Sequence, residues 1–293
     1  MAGAGLYQPG EGLLKDRRLS IPGLELAVLA GRAGGPKVLA LHGWLDNAHS
    51  FMPLAPRLEG LELVCPDLPG HGRSGHRPPG VRYHFEDYAF DVLAAADALG
   101  WSRFHLLGHS LGGAVSCLVA SMAPDRVASL MLVEGLGPLS APAHQAAAHA
   151  RAALNRSRTR PARRHRDLAA AADARSANSD LAPEHALMLA RRGTREDADG
   201  GVYWCHDPRL TWPSTRRFTE PQVLALLEGI RAPVLNIESG NTGRIVPAEK
   251  MHRRQAALPA RTRRLGAPAG HHLHMENPGH IAPWILEHAH EHP

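Results

Sequence analysis

The sequence predicts an α/β protein built on a mostly parallel sheet, on three observations. Short apolar runs recur through the first half of the chain, separated by turns or amphipathic stretches. Those runs are continuously apolar rather than alternating, as expected of strands buried on both faces. The succession strand, helix, strand then argues for parallel pairing with helices on the sheet. At 293 residues, 44% apolar and 21% charged, the chain has ordinary globular composition and enough length for a large core.

The expected strands are "LELAVLAG" (Leu24 to Gly31), "KVLALHG" (Lys37 to Gly43), "LELVCPD" (Leu61 to Asp67), "RFHLLGHS" (Arg103 to Ser110) and "VASLMLVEG" (Val127 to Gly135). "FEDYAFDVLAAADALG" (Phe85 to Gly100) carries apolar residues at helical spacing and ends on a glycine stop signal. "LGGAVSCLVASMAPD" (Leu111 to Asp125) is a small-residue helix that stops before Pro124. From Leu136 to Gln222 no strong strand pattern appears. "AHQAAAHARAAL" and "PEHALMLARR" read as helices, and "NRSRTRPARRHRD" (Asn155 to Asp167) is too charged to bury, so it is a solvated helix face, a loop or disorder. The sheet pattern returns at "APVLNIES" (Ala232 to Ser239). A helix follows around Pro247 to Leu258, then a weak strand near Arg261 to Leu265 and a last amphipathic helix from Pro278 to about His290. The expected division is a core of residues 1–136 and 223–293, with a helical cap, 137–222, inserted over one end of the sheet.

Composition narrows the function classes. No apolar run reaches the roughly 20 residues that span a bilayer. The N-terminal "MAGAGLYQPGEGLLKDRR" lacks the pattern of a signal peptide, so the expected compartment is the cytoplasm. Cys65, Cys117 and Cys205 form neither a disulfide framework nor a metal motif. The formal charge of +5 comes from arginine, since Lys15, Lys37 and Lys250 are the only lysines. No stacking platform or DNA-reading motif accompanies it, which argues against a nucleic-acid partner.

Gly108, Ser110 and Gly112 satisfy G-x-S-x-G between an apolar strand and a helix, the context this motif needs. A sharp turn there lifts the hydroxyl above the sheet at a helix N-terminus, where negative charge is favoured. Ser110 is the candidate nucleophile, the alternative being a structural serine in a turn. The Leu111 N–H, next in the chain, is the first expected oxyanion donor. Among twenty histidines, "AGHHLHMENP" is the best context for a base, a small-residue loop before the last helix. His271, His272 and His274 lie in it. A metal reading of these three finds no matching carboxylate or cysteine set, and no cofactor is expected. His71, in "PGHGRSG", reads as part of a structural turn.

"LHGWLDNAHSF", "PDLPGHGRSG", "LLGHSLGG" and "GHHLHMENP", in this order and spacing, resemble the α/β-hydrolase superfamily, and the first is most similar to the serine hydrolase-like proteins. The resemblance covers about residues 20–136 and 220–290 and is weak between them. It implies an eight-stranded sheet with a helical cap after the sixth strand, and a serine, acid, histidine order along the chain. It implies Trp44 N–H as the second oxyanion donor. It also implies His271 as the base, because a histidine after glycine, an acidic residue five positions on and a following proline match His271, Glu276 and Pro278.

The acid departs from the family pattern. Many members carry an aspartate after the strand equivalent to "PVLNIES". Here "SGNTGRIVP" has no carboxylate, and Thr242 or Gly243 stands at that place. A neutral residue cannot stabilise the imidazolium that forms as serine loses its proton. Glu134, at the end of "VASLMLVEG", occupies a position where related hydrolases place their acid, and Glu238 is the alternative. The expected chemistry is hydrolysis of a carboxylic ester or related small acyl substrate through an acyl-enzyme on Ser110. A serine here argues against the dehalogenases and epoxide hydrolases of the superfamily, which use aspartate. C–C bond hydrolysis, perhydrolysis and low-turnover binding of a small molecule remain alternatives. His42, His109, Trp204 and Arg209 are candidate pocket residues; for the last two, from "VYWCHDPRL", the alternative is a packing tryptophan and a cap-to-core salt bridge. Oligomeric state is not readable from these motifs.

Overall fold

The computed structural model describes residues 13–156, 162–239, 246–268 and 270–293. Among them, one sheet has eight strands: β1 Lys15–Ile21, β2 Leu24–Ala30, β3 Lys37–Leu41, β4 Glu62–Pro66, β5 Phe104–His109, β6 Val127–Val133, β9 Val234–Ser239 and β10 Thr262–Ala267. Their spatial order is β1-β2-β4-β3-β5-β6-β9-β10. Pairing is antiparallel from β1 to β4 and parallel from β4 to β10. The six apolar runs are strands, as their composition predicts, and so is the weak one near Arg261 to Leu265. Strand β1 was not anticipated. Five of its residues are exposed, and "KDRRLSI" has no apolar period because pairing to β2, not burial, holds this edge.

Helices α1 Asp87–Ala98, α2 Leu111–Met122 and α7 Ala248–Ala256 carry the apolar residues that cover one face of the sheet. Helix α9 Pro278–Glu291 covers the other, with the short helix α8 Leu273–Glu276 before it. Strands β5 and β6 are buried along their whole length between these layers. That is why their sequences are apolar without alternation.

The segment between β6 and β9 adds no strand to this sheet. It holds α3 Ala146–Arg156, α4 Leu168–Ser176, α5 Pro183–Gly193, a two-stranded ribbon of β7 Thr194–Glu196 and β8 Val202–Trp204, and α6 Glu220–Glu228. The ribbon is absent from the sequence prediction, since three-residue strands leave no period to detect. Residues 157–161 of the arginine-rich run lie outside the described residues, as do 1–12 of the N-terminal segment read for a signal. A buried ion pair fastens α5 to the core: Arg192 Nε is 2.9 Å from Asp67 Oδ1, and both side chains are fully buried.

From β3 the chain visits β4 on one side, then returns to β5 on the other. Such a reversal opens a crevice at the carboxyl ends of the strands. Leu41 is level with Gly108, His109 with Val133, and Val133 with Ile237. The loops after β3, β5, β6 and β9 therefore emerge side by side.

Candidate active site

Ser110 occupies the tight turn between β5 and α2 with φ 50° and ψ −111°. Leu45 (φ 61°) and Glu134 (φ 54°) are the other described non-glycine residues in left-handed backbone, and both flank the same crevice. Strained backbone of this kind persists where surrounding packing over-determines it. A Cβ on Gly112 would lie 1.9 Å from Leu41 O, and one on Gly108 2.5 Å from Gly112 O. The strand, the turn and the helix thus approach closely enough that only glycine fits at both places.

The loop after β10 brings His271 over this turn. His271 Nε2 lies 2.9 Å from Ser110 Oγ. On the other side of the ring, Nδ1 is 3.6 Å from Glu134 Oε2, an ion-pair distance longer than a hydrogen bond. The Glu134 side chain is 2% exposed, and its Oε1 accepts the Ser239 N–H. Glu134 reaches the ring because β6 lies next to β5 and ends level with it. Glu238 is placed otherwise, its Oε1 accepting from Asn236 Nδ2 and Gln255 Nε2, both at 2.6 Å. Thr242 and Gly243 lie outside the described residues.

The loop after β3 borders the serine from the opposite side. Gly112 N–H donates to His42 O at 3.1 Å, tying α2 to that loop. Among the described residues, no backbone hydrogen bond claims the N–H of Trp44 or of Leu111. Glu276 Oε2 accepts the Gly270 N–H at 3.0 Å, so this acidic residue braces the histidine loop.

A cavity of about 770 Å³ opens above Ser110, a size suited to a ligand of drug-like dimensions. Trp44, Phe85, Leu136 and Met251 line it, joined by Leu139 and Trp212 from the segment between β6 and β9. Arg216 and Arg217 stand among its lining residues, with Arg216 paired to Glu86 at 2.7 Å.

Four pocket candidates stand outside the lining of this cavity, and Trp204 and Arg209 have the packing and clamping contacts that were their alternative reading. His42 is fully buried behind the loop: Nδ1 donates to Gly43 O at 2.8 Å and Nε2 accepts the Leu68 N–H at 2.9 Å. His109 is buried beneath the histidine loop and donates from Nε2 to His271 O at 3.0 Å. Burial, with His274, His272 and His271 around it, holds its basicity well below the ordinary value. Arg209 spends its guanidinium on Asp207 at 2.6 Å and on the carbonyls of Arg77, Pro78 and Val81, so it clamps a loop. Trp204 lies against Gly193 and lines a second cavity with Arg156 and Arg163, which adjoins the first through Thr211, Trp212 and Pro213. His71 is fully buried, and desolvation pushes it down to about 3, so it remains neutral in its turn.

Sequence reasoning missed a set of charged residues behind the histidine loop: Asp46, Arg175 and Asp180. Asp46 Oδ1 accepts from Arg175 Nη2 at 2.7 Å, and Asp180 Oδ2 accepts the His271 N–H at 2.7 Å. Nothing in the local pattern marks them, because Arg175 and Asp180 reach the site from another part of the chain.

A family model described as alpha/beta hydrolase fold matches residues 36–278. A serine hydrolase-like protein of Dictyostelium discoideum is 32% identical over 282 residues, covering 88% of this chain and 77% of that protein. A crystal structure of a hypothetical protein from Pseudomonas aeruginosa PAO1 superposes with a TM-score of 0.88 at 37% identity, over 94% of this chain and 98% of that one. The thioesterase domain from a curacin biosynthetic pathway superposes with a TM-score of 0.83 at 25% identity, over 94% of this chain and the whole of the other.

Proposed function

Since the chain belongs to the alpha/beta hydrolase fold family, we propose that it is a serine hydrolase that cleaves a carboxylic ester or related small acyl compound through an acyl-enzyme. The observation that carries this reading is the contact of His271 Nε2 with Ser110 Oγ at 2.9 Å beneath a largely apolar cavity.

The residues act in the order the geometry suggests. Ser110 attacks the acyl carbon while His271 takes the hydroxyl proton at Nε2. The negative charge that develops on the carbonyl oxygen is met by the N–H groups of Trp44 and Leu111, together with the α2 N-terminus. Glu134 faces Nδ1 and stabilises the imidazolium. The 3.6 Å separation is compatible with this role, since hydrogen bonds of a resting site often tighten only when substrate binds. His271 then returns its proton to the leaving group, and water, activated at the same nitrogen, releases the acid. Residues 137–222 serve as a cap whose Leu139, Trp212 and Phe218 face the substrate. Apolar lining of this kind favours an apolar acyl or leaving group. The substrate is a small molecule, and none of these steps calls for a cofactor. No helix among the described residues is long and apolar enough to cross a membrane. Cytoplasmic residence is part of the same proposal.

The test is reaction with a fluorophosphonate probe followed by mass-spectrometric location of the adduct, beside hydrolysis of p-nitrophenyl esters and a matching thioester. The expected adduct is on Ser110, and Ser110→Ala abolishes both labelling and turnover. A wild-type protein that neither labels nor turns over any of these substrates overturns the hydrolase reading in favour of small-molecule binding.

A further inference from the structure

The histidine loop is held in part from outside the core. Asp180 lies between α4 and α5 of the inserted segment. Its Oδ2 accepts the His271 N–H at 2.7 Å, and its Oδ1 faces Nδ1 of the next residue, His272, at 3.0 Å. The other ring nitrogen of His272 is 3.6 Å from Asp46 Oδ2. Asp46 stands two residues after Trp44, and Arg175 of α4 donates to its Oδ1 at 2.7 Å. A polar chain therefore runs from the inserted segment, through the histidine loop, to the loop that carries Trp44, and back to the inserted segment. Its middle, Asp46 and the His272 ring, is almost wholly buried, so those two charges depend on their neighbours, while Asp180 at one end is partly open to solvent.

We infer that Asp180 is a positioning residue: by fixing the His271 backbone and the His272 ring together, it sets where the base stands over Ser110. The site is then complete only when the inserted segment is seated. Electrostatics fit this arrangement. Burial by itself lowers the basicity of His272, yet Asp46 and Asp180 outweigh it and leave the ring more basic than usual. Burial would likewise raise Asp46, but His272, Arg175 and His109 hold it well below the carboxylate range. For Asp180, burial is outweighed by the His271 N–H and the His272 ring. Of the remaining imidazoles at this spot, His109 and His274 are held below their ordinary basicity by burial and their charged neighbours. His272 is thus the imidazole here whose protonated form the two neighbouring carboxylates favour. The catalytic consequence follows from distance: displacing a reacting group by about 1 Å costs about 100-fold in rate.

This inference rests on the serine-hydrolase reading for its kinetic half only, so its test has two arms, each using the full chain. In hydrogen–deuterium exchange, Asp180→Ala should speed exchange at the His271 amide at least about 10-fold, while peptides of the nucleophile turn and α1 keep wild-type protection. In ester hydrolysis the same variant should lose about 10- to 100-fold in kcat with KM within about 2-fold, since the cavity walls are untouched. Asp180→Asn retains one carbonyl acceptor and should fall between the two, and it decides the matter if the alanine variant does not fold. Unchanged exchange at His271 overturns the inference, as does faster exchange with an unchanged kcat. If Ser110 proves unreactive in the wild type, the hydrolase reading fails by itself, and the exchange arm still decides whether Asp180 holds the loop.

Discussion

Glu134 is the residue on which the proposed chemistry turns. It stands in left-handed backbone at the end of β6 and is 2% exposed, with one carboxylate oxygen on the Ser239 N–H and the other toward His271. Glu134→Gln preserves shape and an acceptor but removes the charge. It should lower kcat by about 1,000- to 10,000-fold with little change in KM, in line with losses from neutralising the acid of such triads. Glu238→Gln should cost less than about 3-fold, because that carboxylate serves Asn236 and Gln255. Steady-state kinetics of the two variants checks the assignment. At this scale the sequence was informative where chemistry leaves a local mark. Gly108-x-Ser110-x-Gly112 and Gly270-His271 carry their spacing on the surface of the text. Asp180 does not, since its partner lies 91 positions away and no residue beside it signals the contact. Arg209 left two readings open, substrate contact or a polar clamp between cap and core. Its bonds to three carbonyls of residues 77–81 favour the clamp, and those partners lie too far away in sequence to be read locally.

At the scale of elements, the turn between β5 and α2 depends on contacts with β3. A methyl group on Gly112 would meet the Leu41 carbonyl oxygen and carbon at 1.9 and 2.4 Å. Backbone atoms cannot swing aside as a side chain does, so Gly112→Ala must move α2 away from β3. The expected result is a thermal midpoint several degrees lower, with at least about 100-fold less activity. Calorimetry and kinetics measure the two together. Helices α1 and α2 and the central strands were legible because burial on both faces demands unbroken apolar runs, and helical spacing follows from a covered face. Strand β1 and the β7–β8 ribbon were not, because backbone pairing asks almost nothing of their side chains. The strands came out one or two residues shorter at their ends than the apolar runs that contain them. There the chain turns toward the crevice while its residues are still buried.

For the molecule as a whole, buried imidazoles set the response to acid. Burial pushes His71 down to about 3, His105 to about 4 and His288 to about 4. In the unfolded chain these rings take up protons below about pH 6.5, whereas the folded protein leaves them neutral. The unfolded state thus binds more protons between about pH 6.5 and 4, and folding stability falls as the pH drops through that window. The depressed carboxylates act in the same direction, further down. Asp46, Asp180 and Glu220 contribute stability above the ordinary carboxylate range, which is lost as acid protonates them. Asp91, which burial raises to about 6, and the His272 ring, held more basic than usual, act in the opposite direction and offset part of this loss. Thermal melts at constant ionic strength should therefore show a midpoint that declines from about pH 6.5 to 4, the carboxylates joining the imidazoles at the lower end. A flat profile to about pH 4.5 would show that the histidines are solvated.

The link between Arg192 and Asp67 bears on how freely this architecture can be recombined. Exchange of the inserted segment for one from a relative is an obvious route to new selectivity. Here that exchange removes the counterion of a wholly buried anion, which strongly destabilises a fold. Any transplanted segment must bring its own arginine at the place of Arg192, or the host must give up Asp67. Compatibility between donor and acceptor is thus decided at a salt link outside the lining of the cavity above Ser110.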